Sequence, residues 1–248
     1  VSEAPVIFSH SSARALTDVP RNVPDEVLRK VAANGGVVMV TFLPAYVSTA
    51  AAAERSARKL LQAEIAKLKD PGERARRTAE LAARPRPPAT LAEVADHVEY
   101  VQKLAGAEHV GIGGDFDGMT GAPVGLEDVS KYPYLFAELA RRGWTDAELE
   151  QLAGKNVLRA LRGAEATAIR RAVRWDGGWP AAVGGGGVHA GGGIGLGVGQ
   201  GAVVDRLHRL PAMLRRARQG QRVDDTDHHP PATAEQGFQR VLAWACDG

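Results

Sequence analysis

The short run Pro-Val-Ile-Phe-Ser at residues 5–9 is rich in β-branched and aromatic residues and too brief for a helix, and His10 is the first residue after it. A neutral imidazole at a strand end suits a zinc ligand or a general base. Taken alone, it reads first as a hydrogen-bonded loop residue. Asp115 holds the same place after a third short run at residues 109–113, among Gly113, Gly114 and Gly118, which let the backbone turn tightly and leave room for a ligand. An Asx-type turn made by Asp115 and Asp117 explains the same residues without chemistry. Arg21, in the loop leaving the His10 strand, offers a planar fork to a substrate carboxylate, or a solvated surface charge. Ligands of parallel α/β folds bind outside the carboxyl ends of strands, so polar residues at two such ends reinforce each other.

Positioning these residues requires a parallel sheet, and the rest of the pattern supplies one. Pro24, Asp25 and Glu26 open a helix whose apolar face carries Val27, Leu28 and Val31 and which stops at Asn34-Gly35-Gly36. The continuous apolar run at residues 37–42 follows, as expected of a strand covered on both faces. Residues 49–83 have the composition of an outer helical pair, broken at Asp70-Pro71-Gly72. After a stiff proline-rich connector at 84–88, Thr90 and Glu93 form a capping box for a helix bearing Val94, Val98, Val101 and Leu104. Helices are predicted near 132–142 and, with Thr145 as N-cap, in a last pair ending near Ala168. Strands alternating with capped helices predict a parallel α/β architecture. An eight-unit barrel takes roughly 250 residues, and this chain of 248 shows three convincing strands.

The segments PVIFSHSSARAL, RNVPDEVLRKV, VADHVEYVQKLAG and VGIGGDFDGM, followed by GLEDVSKYPYLFAELARRGWT, resemble the C-terminal half of the membrane (renal) dipeptidase family. The likeness runs over residues 3–165, with a helical insertion near 50–85. It implies a TIM-barrel-type metal-dependent hydrolase of which only the late βα units are present. It also implies two zinc ions per site in an intact member, whose shared water would become hydroxide near neutral pH and cleave a dipeptide. Position by position, His10 falls on the last histidine zinc ligand and Arg21 on the arginine that grips the substrate carboxylate. Tyr46 falls on a pocket tyrosine. Asp115 falls on the catalytic and substrate-binding aspartate near the substrate amino group; Asn22 matches the residue beside the arginine, with no assigned role. The family's His-x-Asp pair and bridging glutamate have no counterpart, and no His-x-Asp occurs in the sequence. His97, His109, His189, His208, His228 and His229 are not at ligand positions.

The expectation is therefore a dipeptidase fragment, inactive alone, with residues 1–172 as half a barrel and 173–248 as a flexible Gly/Arg-rich tail of low order. The alternative is a non-catalytic interaction or decoy protein derived from the same barrel. Open sheet edges predict a complementing half-barrel or a second copy as partner, beside the dipeptide substrate. The run at 224–229 is a weak second metal candidate, and the glycine alternation at 193–199 neither follows a strand nor opens a helix, as a dinucleotide loop must. A net charge of +2 gives no field that would call for nucleic acid. The arginines between 206 and 222 read as a solvated helix face. One cysteine, Cys246, makes no internal disulfide. With no membrane span and no lipid-anchor tail, a soluble and cytoplasmic protein is expected.

Overall fold

The computed structural model describes residues 2–174 and, apart from them, Gln219. The glycine- and arginine-rich stretch, the 224–229 run and Cys246 lie outside the described residues. Three parallel strands, β1 (Ile7–Phe8), β2 (Val37–Val40) and β3 (Val110–Ile112), pair in chain order. Ile7 faces Val37 across the first pair and Met39 faces Gly111 across the second. Each regular strand is shorter than its apolar run, and backbone hydrogen bonds such as Ser11 N–H to the Met39 carbonyl and Phe42 N–H to the Gly114 carbonyl carry the pairing on toward the site.

Helix α1 (Asp25–Asn34) connects β1 to β2. The longer return to β3 passes through α2 (Pro44–Val47), α3 (Thr49–Ala66), α4 (Pro71–Ala83) and α5 (Leu91–Ala105). The expected helical pair is present, with Asp70 capping α4 through the Glu73 N–H. Thr90 and Glu93 close their capping box at 2.8 and 3.2 Å, an arrangement that stabilises a helix start by about 1 kcal/mol.

Alternation along a strand sends Val38 and Val40 to one face of the sheet, Val37 and Met39 to the other. The first face joins Leu28 of α1, Val94, Val98 and Val101 of α5, and Val110 in the main core. On the second face Val37 is fully buried. A side chain at Gly111 would meet Met39, Val37 and Val157 there, so the glycine makes room for the last helix. Both faces of β2 are covered, as a continuous apolar strand requires.

After β3 come α6 (Tyr132–Arg141) and α7 (Asp146–Glu150), the latter capped by Thr145, then a π-helical turn (Gln151–Lys155) and α8 (Asn156–Arg174). The π turn has no period in the sequence that would announce it. Helix α8 also runs past the expected end near Ala168 and past the expected boundary at 172, because nothing between them breaks a helix. Arg159 pins α8 to the end of the sheet away from the site, donating to the carbonyls of Gly35 at 2.7 Å and Glu108 at 2.6 Å. Arg142 joins α6 to α5 through Asp96, Glu99 and Glu138 at 2.6, 2.7 and 2.7 Å.

Candidate functional site

The strands run parallel, so residues just after β1, β2 and β3 gather at one edge of the sheet. His10 and Asp115 meet there: His10 Nε2 lies 3.8 Å from Asp115 Oδ1, with both side chains partly exposed. The other ring nitrogen, Nδ1, is 2.9 Å from Ser9 Oγ. Sequence separation gives no hint of this approach; two strand ends flanking β2 create it.

Asp115 is the one described non-glycine residue with positive φ, at 67°. That left-handed backbone is tolerated by Asp better than by most residues. Its neighbours could not be larger. A Cβ at Gly113 would fall 2.1 Å from the Ser9 carbonyl oxygen, and one at Gly118 would fall 2.3 Å from Asp115 Oδ1. The turn is closed by the backbone, Gly118 N–H donating to the Asp115 carbonyl at 3.1 Å. The Asp115 carboxylate is not spent on an Asx turn and faces His10 instead. Beneath it, Phe42, Phe116 and Tyr132 pack edge to face at 5.7–5.8 Å between ring centres. Burial pushes the Tyr132 phenol well above its usual range, so it stays neutral.

The loop that carries Arg21 is held by two buried polar side chains. Asn22 accepts the Ser12 N–H at 3.0 Å and donates to the carbonyls of Thr17 and Tyr46, both at 2.8 Å. His97, on α5, accepts the Ala13 N–H on Nδ1 at 3.0 Å, and its Nε2 lies 3.2 Å from the Val47 carbonyl oxygen. The Ala13 amide can only donate, so the ring proton belongs on Nε2, directed at Val47. Burial lowers the His97 pKa to about 4. Both residues tie the β1 loop to α2, so exposed Arg21 and half-buried Tyr46 are carried on backbone segments fastened together.

Sequence reasoning singled out His10, Arg21, Tyr46 and Asp115 and assigned nothing to Asn22 or His97. One signal for His97 was present: residues 94, 97, 98 and 101 share a helix face, and that face is the buried one. The resemblance matched Asn22 only as the residue beside the arginine, and no local pattern announced its partners, which are scattered from residue 12 to residue 46.

The sequence profile of the membrane dipeptidase family, peptidase family M19, matches residues 1–174. The chain belongs to that family. It is 38% identical over 170 residues to dipeptidase ataJ of Aspergillus terreus, covering 68% of this chain and 33% of that protein. It is 41% identical over 170 residues to dipeptidase verJ of Clonostachys rogersoniana, covering 68% of this chain and 34% of the relative. Among solved structures, the probable dipeptidase PvdM of Pseudomonas aeruginosa superposes with a TM-score of 0.55 at 32% identity, covering 66% of this chain and 46% of PvdM. The family is one of hydrolases, dipeptidases of the metallopeptidase class. This chain spans about a third of the length of the curated relatives it matches.

Whether the residues present fit the metal centre of such an enzyme is a question of donor count. Among the described residues, no three His, Cys, Asp or Glu side chains group closely enough to hold a metal ion. His10 and Asp115 are two donors, and a two-metal site needs more. The described residues therefore do not make up that centre by themselves. No helix among them is long and apolar enough to cross a membrane.

Proposed function

We propose that this chain forms the late βα units of a zinc dipeptidase barrel and takes part in hydrolysing the peptide bond of dipeptides. The observation that carries this reading is the convergence of His10 and Asp115, 3.8 Å apart at the carboxyl edge of the sheet, from strands that flank β2. In it the three strands are consecutive barrel strands, and His10 is the ligand that this segment contributes to the metal centre. The other ligands would come from polypeptide beyond the described residues.

The chain's own residues then bind and orient. Arg21, exposed and without an ion-pair partner among the described residues, takes the substrate's terminal carboxylate. Asp115 takes the amino group at the other end and can hold its proton, since its carboxylate is not used by its own turn. Tyr46 forms the wall between them, held in register with Arg21 by Asn22. Fixing both charged ends of a dipeptide selects for its length.

The test is zinc content and hydrolysis of L-Ala-L-Ala by the purified chain, alone and mixed with a polypeptide carrying the family's early strands. Substoichiometric zinc and no hydrolysis alone, with both restored in the mixture and lost again in His10→Ala, is the expected result. A mixture that neither gains zinc nor cleaves the dipeptide refutes the dipeptidase reading. Two tightly held zinc ions in the chain alone refute the incomplete centre.

A further inference from the structure

Tyr46 carries a second cation beside it. The Arg55 guanidinium lies over the Tyr46 ring, 5.5 Å from its centre, within the range of a cation–π contact. Arg55 is on the second turn of α3, and Tyr46 on α2 just before it, so the pair lies on the segment that leaves the carboxyl end of β2. Among the described residues no carboxylate pairs with Arg55. Glu54, next in sequence, is taken by Arg84 at 2.8 Å and Arg58 at 3.2 Å. Those two arginines, Arg84 first, hold the Glu54 carboxyl below its usual range. The same cluster fastens α3 to the end of α4, since Arg58 also donates to the carbonyls of Leu81 and Arg84. The start of the helical hairpin is thus fixed, and it presents an exposed guanidinium that, among the described residues, rests on an aromatic face.

A guanidinium stacked on a ring keeps its in-plane N–H donors free for a carboxylate. The hairpin as a whole reinforces the charge: residues 49–88 carry ten Lys and Arg against five Asp and Glu, a net of +5. Arg21 lies in the loop that Asn22 ties to the Tyr46 carbonyl. One guanidinium therefore rests on the half-buried Tyr46 ring, and a second, that of Arg21, is carried on the loop fastened to the Tyr46 backbone; neither has an ion-pair partner among the described residues.

We propose that Arg55 is a specificity-determining residue that favours dipeptides whose C-terminal residue has an acidic side chain. This rests on the dipeptide reading above: Arg21 takes the terminal carboxylate, and Arg55, held over Tyr46, takes the side-chain carboxylate. The pair is exposed, so the preference is modest, about 3- to 10-fold, and weakens with salt.

The experiment is titration of the 15N-labelled full chain with L-Ala-L-Glu and with its neutral isostere L-Ala-L-Gln, read from backbone amide shifts at Tyr46 and Arg55. The expected result is about 3- to 10-fold tighter binding of L-Ala-L-Glu in low salt. That ratio should fall toward one in Arg55→Gln, be partly kept in Arg55→Lys, and shrink in 0.5 M NaCl, about. Equal binding of the two dipeptides by the unaltered chain overturns the assignment and leaves the dipeptide reading standing. A preference that survives in Arg55→Gln also overturns it, placing the selectivity elsewhere. Failure to bind either dipeptide overturns the Arg55 assignment, while the dipeptidase reading stands or falls on the mixture with the early strands. A thermal melt of Arg55→Gln separates loss of preference from loss of fold.

Discussion

Acid should loosen the candidate site through His97. The imidazole is almost fully buried, accepts the Ala13 N–H on one nitrogen and points the other at the Val47 carbonyl. Burial lowers its pKa from 6.5 to about 4 in the folded chain, the nearby Val47 carbonyl and the Asp96 and Glu93 carboxylates opposing that only in part. A histidine depressed in this way stabilises the fold fully above its unfolded value. As pH falls below about 6.5 the unfolded chain takes up the proton first, and the contribution disappears as pH passes through about 4. The gap corresponds to about 3 kcal/mol, a large part of the stability of a small domain. The assay is urea unfolding from pH 8 to pH 4, comparing the unaltered chain with His97→Gln, whose amide can still accept from one side and donate to the other. Carboxylates held below their usual range, such as Glu148 with its backbone bond from Thr145, lose stability in acid in both proteins and cancel in the comparison. The unaltered chain should lose about 3 kcal/mol more than the variant between pH 7 and pH 4. Equal losses, or an NMR titration of His97 with a midpoint near 6.5, refute the reasoning.

Three further outcomes follow from the same contacts. Asn22→Ala strips partners from the Ser12 N–H and the carbonyls of Thr17 and Tyr46, and should lower unfolding free energy by about 2–4 kcal/mol; a loss under 1 kcal/mol, about, would mean water replaces the amide. In Gly118→Ala the new methyl group would lie 2.3 Å from Asp115 Oδ1, so the carboxylate should swing away from His10 with little change in melting temperature. A crystal structure of that variant with the 3.8 Å approach intact would contradict this. Arg142→Gln leaves Asp96, Glu99 and Glu138 without their shared cation. Those carboxylates are partly solvated, so the expected loss in urea unfolding is about 2 kcal/mol, larger at low salt.

How much of this was legible beforehand depended on the range of the interactions. The apolar runs around residues 7, 38 and 111 declared the three strands, and the Thr90–Glu93 and Thr145–Glu148 boxes declared two helix starts, because such signals are complete within a few residues. Gly113, Gly114 and Gly118 likewise announced a tight turn at Asp115, since a glycine's steric freedom is a local property. The motif order pointed to the dipeptidase family, and the profile match over residues 1–174 bears that out.

What the linear chain leaves open is which of those local pieces meet. Parallel pairing in the order β1, β2, β3 brings His10 and Asp115 together across 105 residues of chain, and no local pattern encodes that approach. The burial of His97 against Ala13 and Val47, the clamp made by Asn22, and the seat of Arg55 on Tyr46 are of the same kind. In each, a polar side chain finds its partner only after helices and strands have packed. Periodicity, capping and turn chemistry fixed the elements of this protein because they act within one or two turns of chain; desolvation and hydrogen bonding across those elements required the tertiary structure, and they shape the edge where a dipeptide is proposed to bind.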